Sequence, residues 1–399
     1  RNLVKRPKRT AILISAIGVG LFGVILFQVL LDGFMVMMVD TVVDTTMGHI
    51  QIHHPEYRLQ QESSLVVANN DLVTKALTRP SVRAFSPRVV SRCLVSSARA
   101  AVASQFLAID AQREGQVTDI NERLMEGQLP QRGDKKGICI GLAMARKLKV
   151  NMGDKVVIMA RDLDGEMGGA ALRICGLFKA HSESVEKAVV YMSAESGRNV
   201  LALGPGTYHE YAIRLERAKE LDKVANELRT LLGKDKWAVE TWAQLEPVIK
   251  QQIDLSWVST TIMFGIVFIA LSFGILNAFM MEIFKRIHEF GVMMSLGTRP
   301  FAVFRTLIYE GLFVGLLGGA VGTSLAIVFN ELLLQNELDL SRWASGMKHF
   351  NFASKVPMYL TPSTVLMCVS ATVCVCLIAT LYPALRAAWF KPVEALRHY

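Results

Sequence analysis

The sequence predicts a mixed membrane and α/β protein. Four transmembrane helices carry one large extracytoplasmic α/β domain, inserted on a helical stalk between spans 1 and 2. Three observations predict it. Half of the 399 residues are hydrophobic, and they pile up in four long runs. The stretch between the first two runs has ordinary soluble composition. The basic residues cluster at alternate ends of the runs.

A helix needs roughly 20 predominantly apolar residues to cross a bilayer. Residues 11–31, 258–281, 308–329 and 364–381 meet that need, the last closed by Tyr382 and Pro383. None has Asp, Glu, Lys or Arg in its central part, and Gln28 and Asn277 are the main polar interruptions. The first run is too long for a typical signal-peptide core. The chain begins at Arg1 rather than Met, so a short leading segment is expected to precede it.

Orientation follows from charge. Arg1, Lys5, Arg6, Lys8 and Arg9 precede span 1, Lys285, Arg286, Arg299 and Arg305 lie between spans 2 and 3, and Arg386, Lys391 and Arg397 follow span 4. The positive-inside rule places these segments, and both termini, in the cytoplasm. The net charge of +9 is therefore read as a topology signal and not as a nucleic-acid footprint. With no acidic residue deep in a span, ion-coupled transport is not expected.

The expected organisation is a basic N-terminus, first span and stalk over 1–46, an outside domain over 47–242, and stalk plus second span over 243–284. A cytoplasmic coupling segment follows over 285–307, then the third span over 308–329, an outside loop over 330–363, the fourth span over 364–381 and a cytoplasmic C-terminus over 382–399. In the outside domain, residues 48–53 alternate as a strand, and Asn70 and Asp71 are candidate caps of a helix to about Leu77. Strand-like runs follow at 89–96, 105–109, 138–140, 155–159, 172–177, 188–191 and 211–215, then a helix over 218–232. Gly153-Asp154 marks a turn. The mixture is compatible with two small subdomains. Residues 32–46 and 243–257 keep helical patterns and flank the domain, as a stalk would. Of the six cysteines, Cys93, Cys139 and Cys175 fall in the domain and none forms a CxxC pair, so no disulfide is assigned.

Several local patterns carry a family resemblance. They are Arg1-Asn2-Leu3 with Arg9-Thr10; Gly274-Ile-Leu-Asn277 followed by Glu289-Phe-Gly-Val-Met-Met-Ser-Leu-Gly297; and Leu381-Tyr-Pro-Ala384 with Arg386-Ala387-Ala388, Pro392 and Glu394-Ala-Leu-Arg397. The outside domain adds Ile140-Gly141-Leu142-Ala143 and Leu148-Lys-Val-Asn-Met-Gly153-Asp154. In this order they resemble the FtsX/MacB-type ABC transporter permeases, and within them the LolC/LolE lipoprotein-releasing subunits. The resemblance implies a MacB-like domain, pairing with a second permease as a homo- or heterodimer, and separate cytoplasmic ABC ATPase subunits. It implies mechanotransmission, in which hydrolysis moves the stalk and substrate is worked on at the outer side of the inner membrane of a Gram-negative bacterium. Lipoproteins or other lipid-anchored or amphipathic substrates are the expected cargo. A periplasmic carrier or adaptor is a possible partner. The alternatives are a MacB-like efflux permease working with an adaptor and an FtsX-like regulator of a cell-wall hydrolase that moves no substrate. LolC-like subunits carry a loop that hooks the carrier; here the corresponding stretch, about 160–172, is short, which leaves carrier recruitment open and three alternatives: a LolE-like subunit, half of a homodimer, or a different export route.

No G-x-x-x-x-G-K-[ST] motif occurs, and Gly233-Lys234-Asp235 lacks its Ser/Thr. No catalytic constellation, metal site or bound cofactor is expected, and ATP and Mg belong to the partner ATPase. The candidate ATPase-coupling site is Glu289, Phe290, Gly291, Val292, Met293, Met294, Ser295, Leu296 and Gly297. A short helix ending at Gly297 would offer Phe290, Met293 and Met294 as apolar anchors and Glu289 as a polar contact. An apolar cytoplasmic loop calls for a partner surface. Met35, Met38, Val39, Val42, Trp257 and Ile262 form the candidate substrate cavity, since methionine adapts to irregular apolar ligands; stalk packing is the competing role. Gly311, Gly315, Gly318, Gly319 and Gly322 permit close helix approach, either within one subunit or between two. His49 and His53 share a strand face with Gln51, a polar face more simply than a metal site. Glu282 and Glu310 sit at cytoplasmic span ends, where carboxylates reach water.

Overall fold

The structure, a computed structural model, describes residues 7–68, 71–180, 183–233, 236–334, 337–339 and 355–389. Arg1 to Arg6, Asn70, Lys234, Asp235 and the C-terminal motif around Pro392 and Glu394 lie outside the described residues. Those described form two compact units, one of residues 7–36, 252–339 and 355–389, the other of residues 37–251.

The first unit is built on long helices: α1 (Pro7–Val42, which continues into the other unit), α2 (Pro247–Ser295), α3 (Pro300–Phe329) and α4 (Pro362–Ala388). All four are long and apolar enough to cross a membrane. The glycines of α3 bear on their neighbours within this subunit. A Cβ at Gly318 would lie 2.6 Å from Ile17 Cγ2, and one at Gly322 would lie 2.7 Å from the Gly18 carbonyl oxygen. Gly311, Gly315 and Gly319 face Thr380, Cys376 and Val369 of α4 in the same way. Small residues substitute here for a hydrophobic driving force that lipid does not supply. The expected end of span 4 is corrected: α4 runs through Pro383 to Ala388. Proline removes one helical hydrogen bond, a loss that membrane helices tolerate when neighbours pack around it; Pro383 and Ala384 are buried here. Beyond α3 a π-turn, Asn330–Leu334, leads to a short strand pair, Glu337–Asp339 with Lys355–Pro357.

The second unit holds a ten-stranded sheet. Its strands are β1 (Ile50–His53), β3 (Val82–Ser96), β4 (Ala101–Ile109), β5 (Leu124–Gly127), β6 (Gly137–Gly141), β7 (Lys155–Arg161), β8 (Met167–Phe178), β9 (Val189–Ser193), β11 (Glu210–Leu215) and β12 (Ala238–Thr241); β2 (Val67–Ala68) and β10 (Thr207–Tyr208) pair separately. Six strands close on themselves in the order β3, β4, β9, β6, β8, β7 and back to β3. Inward residues such as Phe106, Ile140, Ile158 and Val190 fill this barrel. The other layer, β12-β1-β11-β3, is covered by helices Asp71–Leu77 and Leu221–Leu232, whose Val73 and Leu228 pack with Ile50, Ile52 and Ile213. β3 serves both layers: residues 82–88 pair with β11 and residues 89–96 with β4. Arg88 stands at the handover. The stretch compared with a hook loop is a hairpin, because Met167–Leu172 pair back onto β7 and only residues 162–166 turn.

The two stalk stretches differ from a simple helix pair. Residues 43–47 form a π-turn at the end of α1. The stretch over 243–257 is broken: a one-turn helix, Trp242–Leu245, stops at Glu246, and α2 starts afresh at Pro247.

Candidate functional site

The coupling segment is the C-terminal end of α2 and not a separate short helix. Gly297, at φ +94°, closes it. Its amide donates to the Met294 carbonyl (3.1 Å) and the Thr298 amide to that of Met293 (3.0 Å), the Schellman arrangement. Arg299 then caps α3, with Pro300 at its first position. The hairpin thrusts Leu296 (82% exposed), Met293 (43%), Val292 (37%) and Phe301 (70%) into the open. Phe290 differs from the sequence reading, because it is buried within the subunit against Ile283, Val303, Leu307, Ala384 and Ala387 and is not offered on the surface of the turn. Gly291 is buried and Met294 half-buried, whereas Glu289 and Ser295 are exposed.

Behind the turn lies an ion pair that the sequence reading missed. Arg286 Nη1 donates to both oxygens of Glu310 (3.0 and 3.2 Å) and so ties α2 to α3. Glu282 (3.8 Å) and Glu289 (3.6 Å) flank the same guanidinium, which lies 5.0 Å from the Phe290 ring centroid. Both partners are nearly enclosed, so Glu310 does not simply reach water as expected. The signal was present: an arginine and a glutamate just outside consecutive apolar runs. Such a pair is costly to break, since both charges are largely withdrawn from water.

The cavity candidates fall on two helices. Met35, Met38, Val39 and Val42 lie half-buried along α1, with Met37 buried among them. Trp257 and Ile262 are exposed on α2, on a stretch with Leu255, Val258 and Ile266.

The domain meets the chain's two crossings through arginines. At the end of α1, Arg88 Nη1 donates to the Thr46 carbonyl and to Glu210 Oε1 (3.0 Å). Its Nε and Nη2 grip Glu114 (3.0 and 2.6 Å). The Asp119 amide donates to the Asp44 carbonyl (2.9 Å), and Arg214 pairs with the Asp44 carboxylate (2.9 Å). Burial works against the Arg88 charge, but Glu114 and Glu210 outweigh it and hold the guanidinium protonated. At the other crossing, Arg58 donates to the Gln244 and Leu245 carbonyls and to Glu240.

The histidines have structural partners. His53 Nε2 lies 3.2 Å from Glu240. Burial opposes its charge, yet the hydrogen bonds to Glu240 and the His54 carbonyl raise its pKa. The same bond to His53, reinforced by Arg58, lowers that of Glu240. His49 sits outside β1 and accepts from the Leu215 amide (3.3 Å), and burial lowers its pKa to about 4. Among the described residues, no group of three or more His, Cys, Asp or Glu is placed to hold a metal.

Four membrane-length helices, with a domain inserted after the first and an apolar turn after the second, define a multi-pass membrane protein. Comparison with known families is consistent along the chain. Residues 10–231 match the MacB-like periplasmic core domain and residues 261–392 match the FtsX-like permease C-terminal family. The chain belongs to the FtsX/MacB-type ABC transporter permeases. It is similar to the lipoprotein-releasing system transmembrane protein LolC of Xylella fastidiosa (strain 9a5c), at 22% identity over 82% of this chain and 80% of that one. It is also similar to LolE of Haemophilus influenzae, at 21% identity over 79% and 78%. The crystal structure of the periplasmic region of MacB from Actinobacillus actinomycetemcomitans aligns with a TM-score of 0.35 and 13% identity, over 54% of this chain and 95% of that one.

Proposed function

We propose that this permease couples a separate cytoplasmic ATPase to the release of lipoproteins, or other lipid-anchored or amphipathic substrates, from the inner membrane of a Gram-negative bacterium. The observation that supports it best is α2 itself, 49 residues without a break. At about 1.5 Å per residue such a helix is roughly 70 Å long, more than twice a hydrocarbon core of about 30 Å. One rod therefore reaches from the exposed turn at Leu296 to well beyond the opposite face of the membrane. Movement imposed on the turn meets no break within α2 before Pro247.

In this reading the ATPase binds ATP and Mg and seats on Val292, Met293 and Leu296. Both termini are cytoplasmic, and a second permease completes the transporter. Lifting an acyl chain out of lipid costs about 0.8 kcal/mol per CH₂, so a multiply acylated anchor calls for both energy and an apolar shelter. The residues proposed for that shelter are Met35, Met38, Val39, Val42, Trp257 and Ile262. The names of the LolC and LolE relatives point to the same cargo. The five-residue hairpin tip at 162–166 fits a LolE-like subunit whose partner permease carries the hook.

Leu296→Asp combined with Met293→Asp tests the seat. Purified with its ATPase in lipid, the variant should hydrolyse ATP with roughly tenfold less coupled release of an acylated reporter, as expected when apolar hot-spot contacts are lost. Release at the wild-type rate contradicts the proposal. What co-purifies in mild detergent separates the alternatives: a lipoprotein and carrier supports it, while an adaptor with an outer-membrane channel, or a cell-wall hydrolase, supports efflux or regulation instead.

A further inference from the structure

We propose that Arg88 fixes the end of α1 to the extracytoplasmic domain, a positioning residue for the release proposed above and resting on that reading. A helix end leaves carbonyls without intrahelical partners. At the end of α1 two of those carbonyls are taken up by the domain, and a third by the cap of the π-turn itself. The Val43 carbonyl accepts from Gly48, that of Asp44 from Asp119, and that of Thr46 from Arg88. Gly48 makes the turn possible: its φ is +68°, and a Cβ there would lie 2.8 Å from the Ile213 carbonyl oxygen.

Arg88 differs from the other two donors in what stands behind it. It is 1% exposed and sits on β3 where that strand passes from the helix-covered layer to the barrel. Its carboxylate partners come from two further elements: Glu114 from helix Ala111–Val117 and Glu210 from β11. Glu114 also accepts from Thr118 Oγ1 (3.1 Å), so its carboxylate is held from both sides. A pull on the Thr46 carbonyl is thus shared at once among β3, β11 and helix Ala111–Val117. Charge-assisted, bidentate bonds of this kind are short and directional, which suits a connection that must not slip. A purely stabilising role predicts something different, because buried ion clusters are often replaceable by apolar residues of similar volume without loss of stability.

That contrast supplies the test. The full chain, purified in lipid nanodiscs with its co-purifying ATPase, is compared with the triple variant Arg88→Met, Glu114→Leu, Glu210→Leu. The apolar triad keeps the fold but has no donor for Thr46. Amide exchange at residues 43–48 and at Asp119 should quicken roughly tenfold, the scale of one lost charge-assisted hydrogen bond, with strand β4 unchanged. ATP-driven release of an acylated reporter lipoprotein should fall by a similar factor while ATP hydrolysis continues. Wild-type exchange at the joint, or wild-type release despite faster exchange, overturns the proposal. Arg88→Lys keeps the charge and guards against misfolding of the triple variant; it should give intermediate exchange and partial release, and wild-type values for both would again overturn it. If the wild-type protein itself shows no ATP-driven release, the functional reading fails, and the exchange measurement still decides whether Arg88 holds the joint.

Discussion

The chain enters and leaves its outer domain at two places built in opposite ways. At residues 43–48 the helix end is gripped by a buried arginine whose own partners are buried. At residues 242–247 the helix breaks, and Arg58, with 40% of its side chain exposed, holds the last carbonyls from the solvent side. The first joint excludes water, so its electrostatic bonds are strong and its failure is expensive. The second is wet and can open at small cost.

The largest effect expected from this contrast is at Arg88. Arg88→Ala strands Glu114 and Glu210 and should cost about 3–5 kcal/mol of domain stability, read from thermal unfolding. A loss similar to that at Arg58 would erase the distinction between the joints. The next effect is a pH dependence beside the first joint. His209 is buried, stacked 5.1 Å from the Tyr57 ring, with Nδ1 accepting from the Val90 amide (3.1 Å) and Nε2 donating to the Ser63 carbonyl (3.1 Å). Burial lowers its pKa to about 4. The unfolded chain therefore binds the extra proton first as pH falls below about 6.5, and stability drops between pH 7 and 5 by about 2 kcal/mol. His209→Gln should remove that share of the slope and leave the share from His49, whose pKa burial also lowers to about 4; an unchanged slope would assign it elsewhere. The smallest effect is Arg58→Ala, about 1 kcal/mol, since Glu240 keeps His53; unfolding in denaturant measures it.

Much of this architecture is legible in the sequence, and what is not has physical causes. Length and apolarity announce the four spans, and alternation announces most strands. Alternation does not say which strand lies beside which, so the closure of β7 onto β3 was invisible. Arg88 reads as one more residue beside Pro87 until β11 and helix Ala111–Val117 bring carboxylates to it. Phe290 looks like an anchor in a cytoplasmic segment, yet α3 and α4 cover it. Pro383 looks like a terminator, yet α4 passes through it. The glycines of α3 were compatible with packing inside one subunit or between two; Ile17, Gly18 and Thr380 now occupy the space they leave.

The proposed function depends on an unbroken α2 that carries movement from the turn at Leu296 to its far end. Ser256→Pro tests it most directly, because proline within a helix costs about 3 kcal/mol and kinks the rod. The measurement is ATP hydrolysis and reporter release by the same reconstituted complex. Hydrolysis should persist while release falls at least roughly tenfold, since the two ends of α2 no longer move together. Hydrolysis and release both at wild-type rates would contradict it.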